Sequence, residues 1–332
     1  MSFKFSAAMC LFSFFQPAWS SLQEQDLCHS AVIGVKQEKL GRLGIGVLDI
    51  ETGATNYCRG TEHFPMQSVF KLPVAIAVLD HVDNGLYTLE QSITLQKEDL
   101  SVLYSPLAES FRGPEQSYTV KELLTRMIQD SDNTACDVLM HHIGGPKVVT
   151  ETLKRHGIED ISVDRYEREL QPEIFGLQPM KLGHAIDKAR WERKKRSATG
   201  ARAHKAFSAH ISGDKRDTST PQAMLDLLHK LYLGKLLTPS STKFLLDTMA
   251  GTKTGTKRLR AALPAGSTLA HKTGTGPDLD GINSATNDVG IVTLPNGHRF
   301  AIVVFLTGSS LSEEDRESAI CNVCRYVVNQ TK

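Results

Sequence analysis

The sequence predicts an α+β fold in which an antiparallel sheet flanked by helices is joined to an all-helical domain. Three observations carry this. β-Branched, alternating segments stand near both ends of the chain, helical segments fill the middle, and turn signals divide the end segments at hairpin spacing. The 332 residues are 40% hydrophobic and 23% charged, with a formal net charge of +1. That is enough chain for a sizeable core, and too neutral a charge for a general nucleic-acid binder.

Residues 1–20 read as a cleaved secretory signal. Lys4 is followed by an apolar run too short to span a bilayer, then by small residues around Ala18 and Ser20. Cleavage after Ser20 would deliver the mature chain to the periplasm. No later stretch is apolar for long enough to anchor it in a membrane, and a monomer is expected.

From Gly41, the run RLGIGVLDIETGATNYCRG alternates around Thr52-Gly53 and predicts a strand, a turn and a second strand. Helical patterns follow over 69–82, 120–127, 133–143 and 146–156, with Thr119 and Ser131-Asp132 as caps. Pro73 is expected to remove one hydrogen bond from the first of them. Thr220-Pro221 opens another helix that ends at Gly234, and one more spans 239–249. TLAHKTG and NDVGIVTLPNGHRFAIVVFLTG then read as strands, with Pro295-Asn296-Gly297 as a hairpin signal and EEDRESAICNVCRYVVNQ as a closing helix. The economical arrangement pairs the strands of both ends in one sheet. It gives a discontinuous α/β domain of residues 21–65 and 217–332 around a helical domain of residues 66–216.

Segment 172–216 fits neither part. It is rich in Lys and Arg, broken by Gly and Ser, and only weakly amphipathic around Ala185–Trp191. A solvated surface excursion is expected, with a patch for anionic lipid or cell-wall polymer as the sharper alternative. Without Cys10, five cysteines remain (Cys28, Cys58, Cys136, Cys321, Cys324), so at least one thiol stays unpaired. Cys321 and Cys324 share a helix face, and either pack as thiols or send one disulfide to Cys28 or Cys58.

The chemistry starts at Ser68-Val69-Phe70-Lys71, where a helical turn stacks an amine over a hydroxyl. A serine attacks poorly until its proton is taken, and a lysine in a partly dry, cationic site can help. Ser-x-x-Lys alone recurs in ordinary helices. Here it is joined by Ser131-Asp132-Asn133 at a helix start and by Lys272-Thr273-Gly274 at a strand end. Those three motifs resemble class A β-lactamases and penicillin-binding proteins. DRYERELQ (164–171) is similar to the Ω-loop of the class A enzymes, with Glu167 at the place of the deacylating glutamate. DTSTPQAM from Asp217, TGTKRLRAALPAG from Thr254 and HKTGTG…SATNDVG extend the likeness over nearly the whole mature chain. The last of these is similar to the branch holding extended-spectrum and Bacteroides-type cephalosporinases.

The resemblance implies a two-domain fold of the serine β-lactamase and penicillin-binding-protein kind, and hydrolysis of β-lactam rings with cephalosporins favoured. It implies Ser68, Lys71, Ser131 and Glu167 as catalytic residues, with Asn133, Lys272, Thr273, Gly274, Thr275, Arg258 and Gln171 binding substrate. The backbone N–H groups of Ser68 and Thr275 would form the oxyanion hole. Two departures stand out. Gln171 replaces the family's common asparagine, which bears on deacylation more than on acylation. The strand after Lys-Thr-Gly carries Thr286-Asn287-Asp288 where many relatives have an arginine, so the anion-receptor role falls to Arg258. An Arg165–Asp217 ion pair should close the Ω-loop. No cofactor or metal is expected, since His141-His142 and the scattered histidines lack ligand spacing. The alternatives are a D-Ala-D-Ala peptidase and a sensor that is acylated without release.

Overall fold

A computed structural model describes residues 24–184 and 187–331. The signal-peptide reading of residues 1–20 lies outside them. Helix α1 (Glu24–Ser30) leads into the hairpin β1 (Arg42–Asp49) and β2 (Thr55–Cys58), then the short β3 (Phe64–Pro65). A 3-10 turn (Gln67–Phe70) runs directly into α2 (Lys71–Asp83). Strand β4 (Ser92–Gln96), helix α3 (Pro106–Ser110) and strand β5 (Glu115–Thr119) precede α4 (Val120–Gln129), α5 (Asn133–His142) and α6 (Pro146–Arg155). Next come α7 (Glu167–Ile174), α8 (Lys188–Ser197), α9 (Ala201–Ser212), β6 (Thr218–Ser219), α10 (Pro221–Tyr232) and α11 (Pro239–Ala250). The chain closes with β7 (Thr268–Thr275), β8 (Asp278–Leu279), β9 (Ile282–Asn283), β10 (Thr286–Thr293), β11 (Arg299–Thr307) and α12 (Glu313–Asn329).

The main sheet is antiparallel in the order β2-β1-β11-β10-β7, so both ends of the chain share it. Alternation along β11 divides the core. Phe300, Ile302, Val304 and Leu306 pack with α1 and α12, whereas Ala301, Val303 and Phe305 join the larger cluster around α2 and α10. Helix α2 is apolar on all sides and buried from Lys71 to Leu79, which is why it can hold catalytic groups still. The helices that follow are capped by local chemistry of the predicted kind: Thr119 accepts from Glu122 N–H to start α4, and Asp132 accepts from Ala135 N–H to start α5. Pro73 is the third residue of α2 and the 3-10 turn runs into that helix without a break, so the proline withholds the N–H that this position would offer to the Val69 carbonyl.

One expectation needs correction. Segment 172–216 is not a solvated excursion. It forms the end of α7 and then α8 and α9, and Phe175, Ala198, Ala203 and Phe207 are buried in the main core. Those few apolar positions are diluted by basic neighbours in sequence, yet at helical spacing they suffice to dock the segment. Of the two readings for Cys321 and Cys324, packing as thiols holds and a disulfide to Cys28 or Cys58 does not, because Cys28 and Cys58 bond to each other and tie α1 to β2. Cys136, Cys321 and Cys324 are buried free thiols.

The disulfide closes a loop of sequence separation 30. Its removal in a Cys28→Ser/Cys58→Ser variant should lower the unfolding free energy by about 2–4 kcal/mol. Urea titration of the variant against oxidised and reduced parent measures this, and reduced parent should match the variant.

Candidate active site

Ser68 sits in the 3-10 turn, just after Gln67, whose φ of 47° bends the chain into the left-handed region. Two residues from the sheet fix this bend. Asn287 of β10 donates its amide to the carbonyls of Pro65 (2.9 Å) and Met66 (3.0 Å). Its register partner Gly274 lies so close that an added Cβ would stand 2.5 Å from the Met66 carbonyl oxygen. The glycine of Lys-Thr-Gly is therefore a requirement of backbone approach. Asn287 went unread because an asparagine inside a strand gives no signal of where its amide points.

Lys71 is fully buried and collects the site. Its Nζ is 2.8 Å from Ser68 Oγ, 2.8 Å from Glu167 Oε1, 2.5 Å from Asn133 Oδ1 and 3.0 Å from the Ser131 carbonyl. Ser68 Oγ also donates to Glu167 Oε1 at 3.3 Å. Ser131, at φ 59°, lies 3.0 Å from Lys272 Nζ and 3.5 Å from Lys71 Nζ through its Oγ. Burial, with Lys71 as a second cation nearby, pushes the Lys272 ammonium well below the usual lysine range. Asp132, between Ser131 and Asn133, faces away and accepts from Ser105 and Leu107, tying this loop to the segment that bears Tyr104.

Glu167 begins α7 and is fully buried. Its N–H donates to Asp137 Oδ1 at 2.7 Å, and Arg168 Nε meets Asp137 Oδ2 at 3.0 Å, so a buried ion pair on α5 seats the glutamate. Burial outweighs the guanidinium and lifts the Asp137 carboxyl to about 6. Arg165 Nε meets Asp217 Oδ2 at 2.6 Å, closing the Ω-loop across the inserted segment.

The segment also reaches inward. Gln171 Nε2 donates to Glu167 Oε2 and to Gln67 Oε1, both at 3.1 Å. The Gln67 amide then stands 2.9 Å from Nε2 of His210, a buried residue of α9. A single direction of donation satisfies this chain when His210 is neutral and accepts. Burial, reinforced by Arg165, holds His210 down at about 4.

On the opposite wall, Arg258 is buried and engaged. It contacts Glu317 (3.2 Å), the carbonyls of Gly274 (3.2 Å) and Asn287 (3.0 Å), and the exposed Thr275 hydroxyl (2.7 Å). A cleft of about 690 Å³ runs between the walls, lined by Ser68, Ser131, Asn133, Gln171, Arg258, Thr273 and Thr275. The structure thus brings all the predicted side chains to one cleft or its floor, with Gly274 supplying backbone. Residues that sequence reasoning missed are Gln67, Asp137, Arg168, His210 and Asn287, together with the α8 residues Lys188, Trp191, Glu192 and Lys195 on the cleft wall. Among the described residues, no group of three or more His, Cys, Asp or Glu could hold a metal ion.

Comparison with known proteins agrees with this geometry. The beta-lactamase enzyme family matches residues 30–331. The chain is 31% identical to beta-lactamase VEB-1 of Pseudomonas aeruginosa, over 95% of this chain and 94% of that one. It superimposes on a beta-lactamase structure from Chitinophaga pinensis with a TM-score of 0.75 at 33% identity, covering 93% of this chain and 98% of the other. An ancestral class A beta-lactamase structure matches with a TM-score of 0.73 at 36% identity, over 92% and 98% of the two chains.

His210 makes a pH signature. Its folded value of about 4 lies below the ordinary 6.5, so on acidification the unfolded chain takes a proton that the folded one refuses. Its share of stability is complete above pH 6.5 and is lost as pH falls toward 4. Between about pH 7 and 4.5 the urea unfolding free energy should drop by roughly 2–3 kcal/mol more in the parent than in His210→Gln. Equal drops would show that His210 titrates freely.

Proposed function

The chain belongs to the beta-lactamase enzyme family and is a class A serine β-lactamase that hydrolyses the β-lactam ring of antibiotics; on that premise we propose the following roles for its residues. Ser68 is the nucleophile. Lys71 takes its proton while passing one to Glu167, since Nζ stands 2.8 Å from both oxygens, so the net transfer runs from serine to glutamate. The acyl oxygen charges up against the N–H groups of Ser68 and Thr275, where losing one donor typically costs about 2.7–4 kcal/mol of barrier. Ser131, in contact with both lysines, gives its proton to the departing ring nitrogen and is reprotonated from Glu167 through Lys71, which restores the carboxylate.

The substrate's ring carboxylate is met by Lys272, Thr273 and Thr275. Arg258 contributes by orienting the Thr275 hydroxyl and adding positive field, because Glu317, two backbone carbonyls and that hydroxyl already hold its guanidinium. An incoming carboxylate also offsets the burial that disfavours the Lys272 ammonium. Asn133 reads the acylamido group with its free amide N–H, its oxygen being held by Lys71.

In deacylation, Glu167 draws a proton from water, which attacks the ester carbonyl; the Ser68 C–O bond then breaks and Ser68 Oγ takes that proton back from Glu167. Gln171 orients the glutamate from 3.1 Å, so the longer side chain at this position still delivers an amide to the carboxylate. The observation that carries this reading is the Ser68–Lys71–Glu167 triangle, in which Ser68 faces the cleft while Lys71 and Glu167 are fully buried behind it. Cephalosporins as favoured substrates are supported by Thr275 and by the motif likeness to the extended-spectrum branch. Export to the periplasm is supported by the pattern of residues 1–20 and by the Cys28–Cys58 disulfide, which needs an oxidising compartment.

A chromogenic cephalosporin should turn over many times per enzyme molecule, and Glu167→Gln should lower kcat by about 10²–10⁴-fold while Ser68 accumulates as an ester visible by mass spectrometry. A single-turnover burst in the unmodified protein would show a sensor. Greater activity on D-Ala-D-Ala peptides than on cephalosporins would show a peptidase.

A further inference from the structure

Helix α8, part of the inserted segment, turns one face to the active-site cleft. Lys188, Trp191, Glu192 and Lys195 follow the i, i+3, i+4, i+7 spacing of a single helical stripe, and all four line the cleft that holds Ser68. They stand with Gln171 and Phe175 on the Ω-loop wall. Thr273, Thr275 and Arg258 make the other wall, where the ring carboxylate is received. The α8 face therefore meets the acyl side chain of a bound β-lactam.

The chemistry of that face is specific. Trp191 is 6% exposed and presents an aromatic surface fixed by its burial. Among the described residues, neither Lys188 nor Lys195 is in an ion pair, and Lys195 Nζ lies 5.7 Å above the Phe175 ring. Glu192 is on the same stripe and Glu109 of α3 lines the cleft opposite, so the wall is not uniformly cationic. Helix α8 as a whole is: its sequence KARWERKKRS carries six Lys or Arg against that one Glu. A cleft bounded by such an element and by low-dielectric protein concentrates anions.

We propose that this face is a subsite for β-lactams whose acyl side chain bears an aromatic ring beside a second carboxylate, the ring lying against Trp191 and the carboxylate between Lys188 and Lys195. The proposal rests on the β-lactamase reading and adds a substrate class to it. Benzylpenicillin and α-carboxybenzylpenicillin differ by that one carboxylate and serve as the probes. The readout is the ratio of kcat/KM for the carboxylated over the plain substrate, measured in the full mature chain.

Lys188→Glu/Lys195→Glu should lower this ratio by about tenfold, through KM, and raised ionic strength should shrink it in the parent. Glu192→Gln should raise it. Lys188→Gln/Lys195→Gln gives the same direction with a milder change, should charge reversal unsettle the helix. A ratio within twofold of the parent in the folded lysine variants overturns the subsite, including the case where both substrates lose alike because α8 merely props the Ω-loop. Both penicillins left intact while a chromogenic cephalosporin turns over would also overturn the subsite; all three left intact by the parent would instead sink the β-lactamase reading itself.

Discussion

The contact on which the rest of the structure depends is the dehydrated ion pair between Lys71 and Glu167, both fully buried. Taking two charges out of water costs several kcal/mol each, and mutual attraction offsets this only when the remaining hydrogen-bonding capacity is used. Here it is used. Asn133 Oδ1, the Ser131 carbonyl and Ser68 Oγ surround the ammonium, while Gln171 occupies the second carboxylate oxygen. The left-handed backbone at Gln67 and Ser131 follows from the same demand, since both bends aim hydrogen-bonding groups at one buried point. Such a pair adds little to stability compared with an apolar replacement. Its retention fits a proton that must move over short, fixed distances.

That pair needs the glutamate held from outside as well, because Glu167 comes from a long loop and not from the sheet or α2. Three supports converge on it. The Asp137–Arg168 pair holds the backbone at Glu167, Arg165–Asp217 closes the loop ends, and the amide chain through Gln171 and Gln67 fixes the carboxylate's far oxygen. The last support ends on His210, which the inserted segment supplies. An insertion at this point could have loosened the loop. Folding back as α9 with Ala203 and Phe207 in the core makes it a brace.

Legibility from sequence followed the physics of each feature. The main sheet, the principal helices and their caps were readable because they depend on local periodicity and local side-chain-to-backbone bonds, as with Thr119 and Asp132. Ser68, Lys71 and Ser131 were readable because catalysis fixes residue types at short spacing. Asn287 and His210 were not, since each acts across more than a hundred residues, and Asp137 was not, since a lone carboxylate inside a helix gives no sign of the backbone it will meet 30 residues on. The segment 172–216 was misjudged for another reason: abundant lysine and arginine mask three or four apolar positions, and burial depends on where those few fall, not on mean polarity.

This division has a consequence for how the enzyme can vary. Groups that break and form bonds are mounted on the 3-10 turn and α2, at the start of α5, on α7 and on β7, against the apolar core and the sheet, where a change of a methylene would be felt at once. The wall that meets the substrate's side chain belongs to α8, most of whose residues are exposed and whose docking relies mainly on Trp191 and Ala198. Substitutions on its cleft-facing stripe alter what is admitted while leaving the Lys71–Glu167 distance to other supports. Reaction and selection are thus carried by separate elements that meet at Gln171, where the brace for the glutamate and the floor of the side-chain wall are the same amide.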